Sequence, residues 1–174
     1  MRIETLAELD MSAADEARIA MLVNRCFGPE FGGNSFHMQR HHVRIVARDP
    51  GIVGHMALCF RAVRMGERLV DILGLAEVCT APERRGEGIA SRLMEATMKL
   101  AADSRADFLV LFGDQPLYAA SGFVKHSNRL RYVEMDGSRT GDVKFERRGG
   151  LMVYALGDLT WDPGAEVDLL GNLF

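Results

Sequence analysis

Cys79-Thr80-Ala81-Pro82-Glu83-Arg84-Arg85-Gly86-Glu87-Gly88-Ile89-Ala90 leaves an apolar segment, passes through a glycine-rich turn and enters an amphipathic one. A turn of this kind presents successive backbone N–H groups at the positive end of a helix. Glycine at 86 and 88 lets a diphosphate approach the main chain closely. Two other phosphate-binding turns are excluded by spelling. A P-loop ends in Gly-Lys-Ser/Thr, and a dinucleotide fingerprint needs three glycines at G-x-G-x-x-G spacing. Neither occurs here.

Downstream of the turn, Ile89, Leu93, Met94, Ala96, Thr97, Leu100 and Ala101 recur at helical spacing, predicting a helix over Ile89–Ala102. Met94, Met98 and Leu93 read as its core face. Asp107–Phe112 is short and nearly all apolar, as a strand buried on both faces is. Strand, glycine turn, helix and buried strand make a βαβ unit, so Arg68–Thr80 and Phe108–Phe112 should be parallel neighbours. Upstream, Arg2–Leu9 alternates like a strand, and Asp10–Ser12 caps a helix over Ala13–Phe27 that stops at Gly28-Pro29. Glu30–Asn34 reads as a loop and Ser35–His41 as a short helix. Val43–Arg48, Ile52–Arg64 and Arg68–Thr80 are strand-like and separated by turn residues, which predicts an antiparallel meander with a bend near Gly74. Pro116–Ser121 is a short helix. Arg129–Met135 and Leu151–Leu156 are strands around a polar turn region, Asp136–Arg148, in which the charged run Lys144–Arg148 is a solvated hairpin or loop. The fold class is α/β (α+β): a mixed, mostly antiparallel sheet with a parallel βαβ core and flanking helices. With no repeat, low-complexity tract or linker, 1–174 reads as one domain.

Composition narrows the function. The chain has 174 residues, 48% hydrophobic and 26% charged, which suits a globular core. A net charge of −3 gives no reason to expect nucleic acid. Cys26, Cys59 and Cys79 are scattered in apolar runs and read as reduced. No apolar run approaches membrane-spanning length, and the first residues lack a basic-then-apolar leader layout, so a cytoplasmic protein with no membrane partner is expected. His37 and His41 are spaced i, i+4 with His42 adjacent, but no third ligand cluster accompanies them, and no metal is expected. A cysteine–histidine hydrolase is disfavoured, because no nucleophile sits at the apex of the glycine turn.

Arg85-Gly86-Glu87-Gly88-Ile89-Ala90 resembles the Arg/Gln-x-x-Gly-x-Gly/Ala signature of the GNAT (Gcn5-related N-acetyltransferase) superfamily. Gly113-Asp114-Gln115-Pro116-Leu117-Tyr118-Ala119-Ala120-Ser121-Gly122-Phe123 is similar to the family's second coenzyme A-facing segment, with a tyrosine shortly before Gly-Phe. The resemblance implies a GNAT fold and acetyl-CoA as co-substrate. The amides of Arg85, Gly86, Glu87, Gly88, Ile89 and Ala90 would hold its pyrophosphate, and the strand edge at Cys79 and Thr80 would pair with the pantetheine arm. It also implies a small-molecule primary amine as acceptor, attacked directly in a ternary complex. Tyr118 would be the general acid for the departing thiolate; its other reading is a core ring beneath Gly122-Phe123.

Glu77 is the only carboxylate in the apolar strand Ile72–Thr80 and the candidate base, the other reading being a solvent-facing strand glutamate. Alignment on the glycine turn puts it one residue out of register, which a bulge would restore. Water, His55 and Asp114 are the alternatives, Asp114 also reading as a helix cap. A looser likeness extends to aminoglycoside 2'-N-acetyltransferases and nodulation acyltransferases through Phe27-Gly28-Pro29, His55 and Trp161–Leu169. It nominates Phe31, Asn34, Phe36, Trp161, Asp162 and Asp168 for the acceptor wall, although Asp162 and Asp168 also read as turn and cap residues. It also admits a longer acyl-CoA or acyl carrier protein donor, and a non-catalytic coenzyme A-binding sensor is a third reading. The family's habit of dimerising allows a homodimer.

Overall fold

The computed structural model describes residues 1–174 and divides into two compact units, Met1–Leu58 with Ala76–Leu100, and Cys59–Leu75 with Ala101–Phe174. Strands β3 (Ile52–Met65) and β4 (Arg68–Thr80) each begin in one unit and end in the other.

In the first unit, β1 (Arg2–Ala7) pairs antiparallel with β2 (Val43–Arg48), and β2 with the first half of β3. The end of β4 follows, and Ala81 N–H donates to Val53 O at 2.8 Å. Helix α1 (Ala13–Phe27) is capped by Ser12, whose hydroxyl accepts from Asp15 N–H, and ends at Gly28 with φ +82°. Its Ile19, Leu22 and Val23 pack with Phe31, Val46, Cys79 and Ala81. Helix α2 (Ile89–Ala102) lies against the strand pair β2–β3. A Cβ at Gly54 would stand 2.7 Å from Ile89 and 2.9 Å from Leu93, so only glycine admits the helix this close.

Residues 35–41 are not the expected short helix but a series of bends, with Met38 at φ +64°. The reason is polar. Ser35 O and His37 N–H bond to side chains of other elements rather than to one another's turn.

The second unit holds the strand order β6 (Val124–Lys125), β9 (Leu151–Ala155), β5 (Phe108–Phe112), β4, β3, β10 (Val167–Asn172), β7 (Arg129–Asp136) and β8 (Arg139–Arg147). β4 and β5 are parallel, from Ile72↔Phe108 to Leu75↔Leu111, as the βαβ reading requires. α3 (Pro116–Ala120) follows β5. Three strands differ from expectation, among them the two-residue β6, antiparallel to β9. The polar region 136–148 is mostly β8, hairpinned onto β7 through Gly137 at φ +57°, and β10 runs parallel to β7 and antiparallel to β3. The core gathers Val63, Val70, Ile72, Phe108, Val110, Leu130, Tyr132 and Trp161. Asn128, 1% exposed, accepts from Trp161 Nε1 at 3.0 Å and donates to Asp162 O and Ala165 O, tying down the loop before β10.

Candidate active site

After β4 the chain makes a 3-10 turn over Pro82–Arg84, extends at Arg85 (φ −67°, ψ 148°) and enters α2 through Gly86 (φ +84°) and Gly88 (φ +74°). Both glycines occupy the region that side chains avoid. A Cβ built on either meets nothing within 4 Å, so the main chain there faces open space. Arg84 N–H closes the turn onto Ala81 O, and Arg92 N–H onto Gly88 O. The N–H groups of Arg85, Gly86, Glu87 and Gly88 donate to no backbone carbonyl. The two arginines have separate tasks. Arg84 bonds Asp49 at 2.9 Å and Glu87 at 2.8 Å, stapling the turn, whereas Arg85 is exposed and enters none of these pairs. At the strand exit, Cys26 Sγ donates to Thr80 O at 3.5 Å, and the buried Thr80 Oγ1 has no hydrogen-bond partner. The hydrogen bond between the two thiols lowers the pKa of Cys26 and, with burial, raises that of Cys79.

Within β4, Glu77 has φ +52°, rare for a residue with a side chain and costly by roughly 1–3 kcal/mol. Its side chain is 5% exposed and surrounded by donors. Oε1 accepts from His37 N–H at 2.6 Å and lies 2.9 Å from His41 Nε2; Oε2 accepts from Arg44 Nη1 at 3.1 Å. Burial alone would raise this carboxyl, but hydrogen bonding and electrostatic attraction from His41, with smaller contributions from the His55 imidazole and the His37 amide, outweigh it and hold it below the usual range. Glu77 O faces His55 Nδ1 at 3.0 Å. A carbonyl only accepts, so His55 is the Nδ1–H tautomer and its Nε2 accepts from Arg44 Nη1 at 3.3 Å. Burial, reinforced by Arg44, pushes His55 down to about 4, so it stays neutral.

A glycine turn opening a helix and, before it, a strand carrying a buried acid at positive φ are thus both built. The family profile described as "Acetyltransferase (GNAT) domain" matches residues 10–124, a span that includes both. The chain belongs to the GNAT acetyltransferases. Among solved structures it is similar to a GNAT family acetyltransferase from Brucella melitensis in complex with acetyl-CoA: 20% identity, 95% of this chain and 94% of that one, TM-score 0.59. It is also similar to YhbS of Escherichia coli in complex with CoA, at 18% identity over 97% and 90% of the two chains and TM-score 0.63. Escherichia coli ElaA matches at 15% identity over 87% and 97%, TM-score 0.59. No curated protein matches.

The segment Gly113–Phe123 follows β5 and runs through α3 to Gly122, which has φ +89°. Tyr118 sits on α3 with its ring against Gly113, where a Cβ would come within 2.7 Å, and edge-on to Phe123 at 6.2 Å. Burial and Asp114 raise its pKa, so the phenol keeps its proton at neutral pH. The ring is packed as the core reading expects, yet its hydroxyl is not among the buried orphaned atoms.

Other nominated residues are placed as follows. Phe31 is buried, stacked on Phe27 at 5.1 Å and tilted against His37 at 5.4 Å. Asn34 is exposed and Phe36 half-buried beneath Arg40, 4.7 Å away. Trp161 lies in the core of the second unit, edge-on to Phe108 at 5.1 Å. Asp162 Oδ1 caps Gly164 N–H in the turn before β10, whereas Asp168 lies in β10, its Oδ1 accepting from Leu170 N–H where the register to β7 shifts and its Oδ2 3.7 Å from Arg131. No group of three or more His, Cys, Asp or Glu is arranged to hold a metal ion, and no helix is long and apolar enough to cross a membrane. Sequence reasoning missed Arg44. The signal was there: a lone arginine in the apolar run Val43–Ala47, matching a lone glutamate in Ile72–Thr80.

Proposed function

We propose that this GNAT protein is an acetyl-CoA-dependent N-acetyltransferase, one catalytic domain over 1–174, that acetylates a primary amine of a small molecule. The observation that carries the donor is the turn: unpaired amides from Arg85 to Gly88, glycines with open space above them, and an exposed Arg85. Those groups suit a pyrophosphate. The orphaned Thr80 Oγ1 fits the same ligand, since a buried hydroxyl without a partner costs about 1–3 kcal/mol that a bound polar group would recover. Two solved GNAT structures of this fold hold acetyl-CoA and CoA.

Acetyl-CoA supplies an activated acyl thioester. Backbone donors at the end of β4, near Cys79 and Thr80, polarise the acetyl carbonyl as negative charge gathers on its oxygen. Glu77 takes the proton that the attacking amine must lose. Three of its carboxylate's roughly four lone-pair sites are filled by His37, His41 and Arg44, leaving one on Oε2 for that proton. Tyr118 gives its proton to the departing sulfur, so the C–N bond forms as the C–S bond breaks and neither charge is stranded. Asn34 and Phe36, in the segment that Glu77 pins through the His37 amide, are the acceptor contacts of the first unit.

The test is calorimetric titration with acetyl-CoA followed by a thiol-release assay over small amines, aminoglycosides and peptide N-termini. Micromolar-range binding with turnover on a small amine is expected. Failure to bind acetyl-CoA overturns the proposal, binding without turnover indicates a sensor, and preference for a fatty acyl-CoA moves the donor to a longer chain.

A further inference from the structure

Arg44 is fully buried on β2, and every polar atom it owns is engaged. Nε and Nη2 grip Glu8 at 2.7 and 3.2 Å; Nη1 donates to Ser35 O at 2.8 Å, to Glu77 Oε2 at 3.1 Å and toward His55 Nε2 at 3.3 Å. Placement follows from register. Arg44 pairs with Ala57 and Val46 with His55, so arginine and imidazole are diagonal neighbours on one face of the β2–β3 pair. The left-handed backbone at Glu77 then brings carboxylate and carbonyl of one residue onto the arginine and the imidazole together. A guanidinium fork suits this work, because its donors are fixed in a plane and its charge cannot be lost.

We propose that Arg44 is a positioning residue for acetyl transfer: directly, and through His55, it fixes the carboxylate and the main-chain turn of Glu77, so that one open lone pair of Oε2 faces the acceptor amine. This rests on the reading of Glu77 as proton acceptor. The groups that face Glu77 are Arg44 on β2, His55 on β3, His41 and the His37 amide on the segment before β2, and Cys79 along β4. Behind Arg44 stands Glu8, itself paired with Arg40 at 3.0 Å. Arg44 is the cation between two carboxylates. Without it, Glu8 and Glu77 repel each other across a largely buried site, and the imidazole that bonds the Glu77 carbonyl loses its own hydrogen-bond partner.

The experiment compares wild type, Arg44→Met, Arg44→Lys and Glu77→Gln by pH profiles of kcat/KM, by separate kcat and KM for acetyl-CoA, and by carbon-13 titration of the glutamate carboxyls. Glu77→Gln identifies the relevant signal. Arg44→Met is expected to lower kcat at neutral pH about ten- to a hundredfold, with KM for acetyl-CoA moving less than about threefold. The acidic limb and the Glu77 carboxyl should both move up by about one pH unit or more. Arg44→Lys should recover part of kcat. A folded Arg44→Met enzyme with unchanged kcat and an unmoved Glu77 carboxyl overturns the proposal. If Arg44→Met shows no cooperative thermal transition, Arg44→Gln takes its place, and full activity with an unshifted carboxyl in that variant is equally fatal. Should the wild type turn over no amine, the enzyme reading fails while the carboxyl titration still judges Arg44.

Discussion

Thr80 and Tyr118 each offer a test confined to one side chain. Thr80→Val exchanges an orphaned buried hydroxyl for a methyl of the same shape, so the ligand-free protein should melt at the same temperature or slightly higher. Acetyl-CoA affinity should nevertheless fall about fivefold, as expected for one lost hydrogen bond of roughly 1 kcal/mol. Unchanged affinity would show that the hydroxyl does not face the donor. Tyr118 is protonated at neutral pH because burial and Asp114 raise its pKa. Tyr118→Phe should therefore lower kcat roughly ten- to a thousandfold while leaving acetyl-CoA binding nearly intact. A rate equal to wild type would return Tyr118 to the core.

At the scale of elements, glycine positions separate binding from folding. Gly88→Ala forces a side chain into φ +74°, at a cost of roughly 1–2 kcal/mol, and displaces the amides of the turn. KM for acetyl-CoA should rise several-fold with a smaller change in kcat. Gly54→Val pushes a side chain into Ile89 and Leu93 and should destabilise the protein by about 1–3 kcal/mol in urea, with the surviving folded enzyme keeping its KM. The same elements show what could be read in advance. The glycine turn, α2 and the parallel pair β4–β5 were legible because local periodicity and turn chemistry specify them. β8 was not, because most of its residues are exposed, so no apolar alternation marks it. β10, with only Val167 and Leu169 buried, was too short to stand out. The left-handed backbone of Glu77 was not legible, because the side chains that hold it, Arg44 and His55, lie on other strands that no local pattern links.

For the whole molecule, acid is the expected weakness. Glu8, Asp15 and Glu77 have folded pKa values below their ordinary ones; burial would raise each, but arginine, histidine and hydrogen-bond partners prevail. Their contribution is complete above the unfolded values and is lost as pH falls through the folded ones. His55 adds a loss that begins earlier. Its pKa drops from 6.5 unfolded to about 4 folded, so the unfolded chain binds a proton that the folded chain refuses, and stability declines as pH falls between those values. The full decline is about 3 kcal/mol. Urea midpoints measured from pH 7 to 4 should fall steadily, and a flat curve down to pH 5 would contradict a neutral buried His55.

Cys26 has a practical corollary at the bench. It is the partly exposed member of the three cysteines, and the Cys79 thiol together with Arg85 and Arg25 favours its thiolate. A disulfide dye added to follow coenzyme A release will therefore stain the enzyme as well, and the adduct would sit beside the carbonyl of Thr80. Kinetics recorded continuously with such a dye would show a stoichiometric burst followed by fading turnover, an artefact resembling an acetyl-enzyme. Stopping each reaction before adding the dye, or working with Cys26→Ser, removes it.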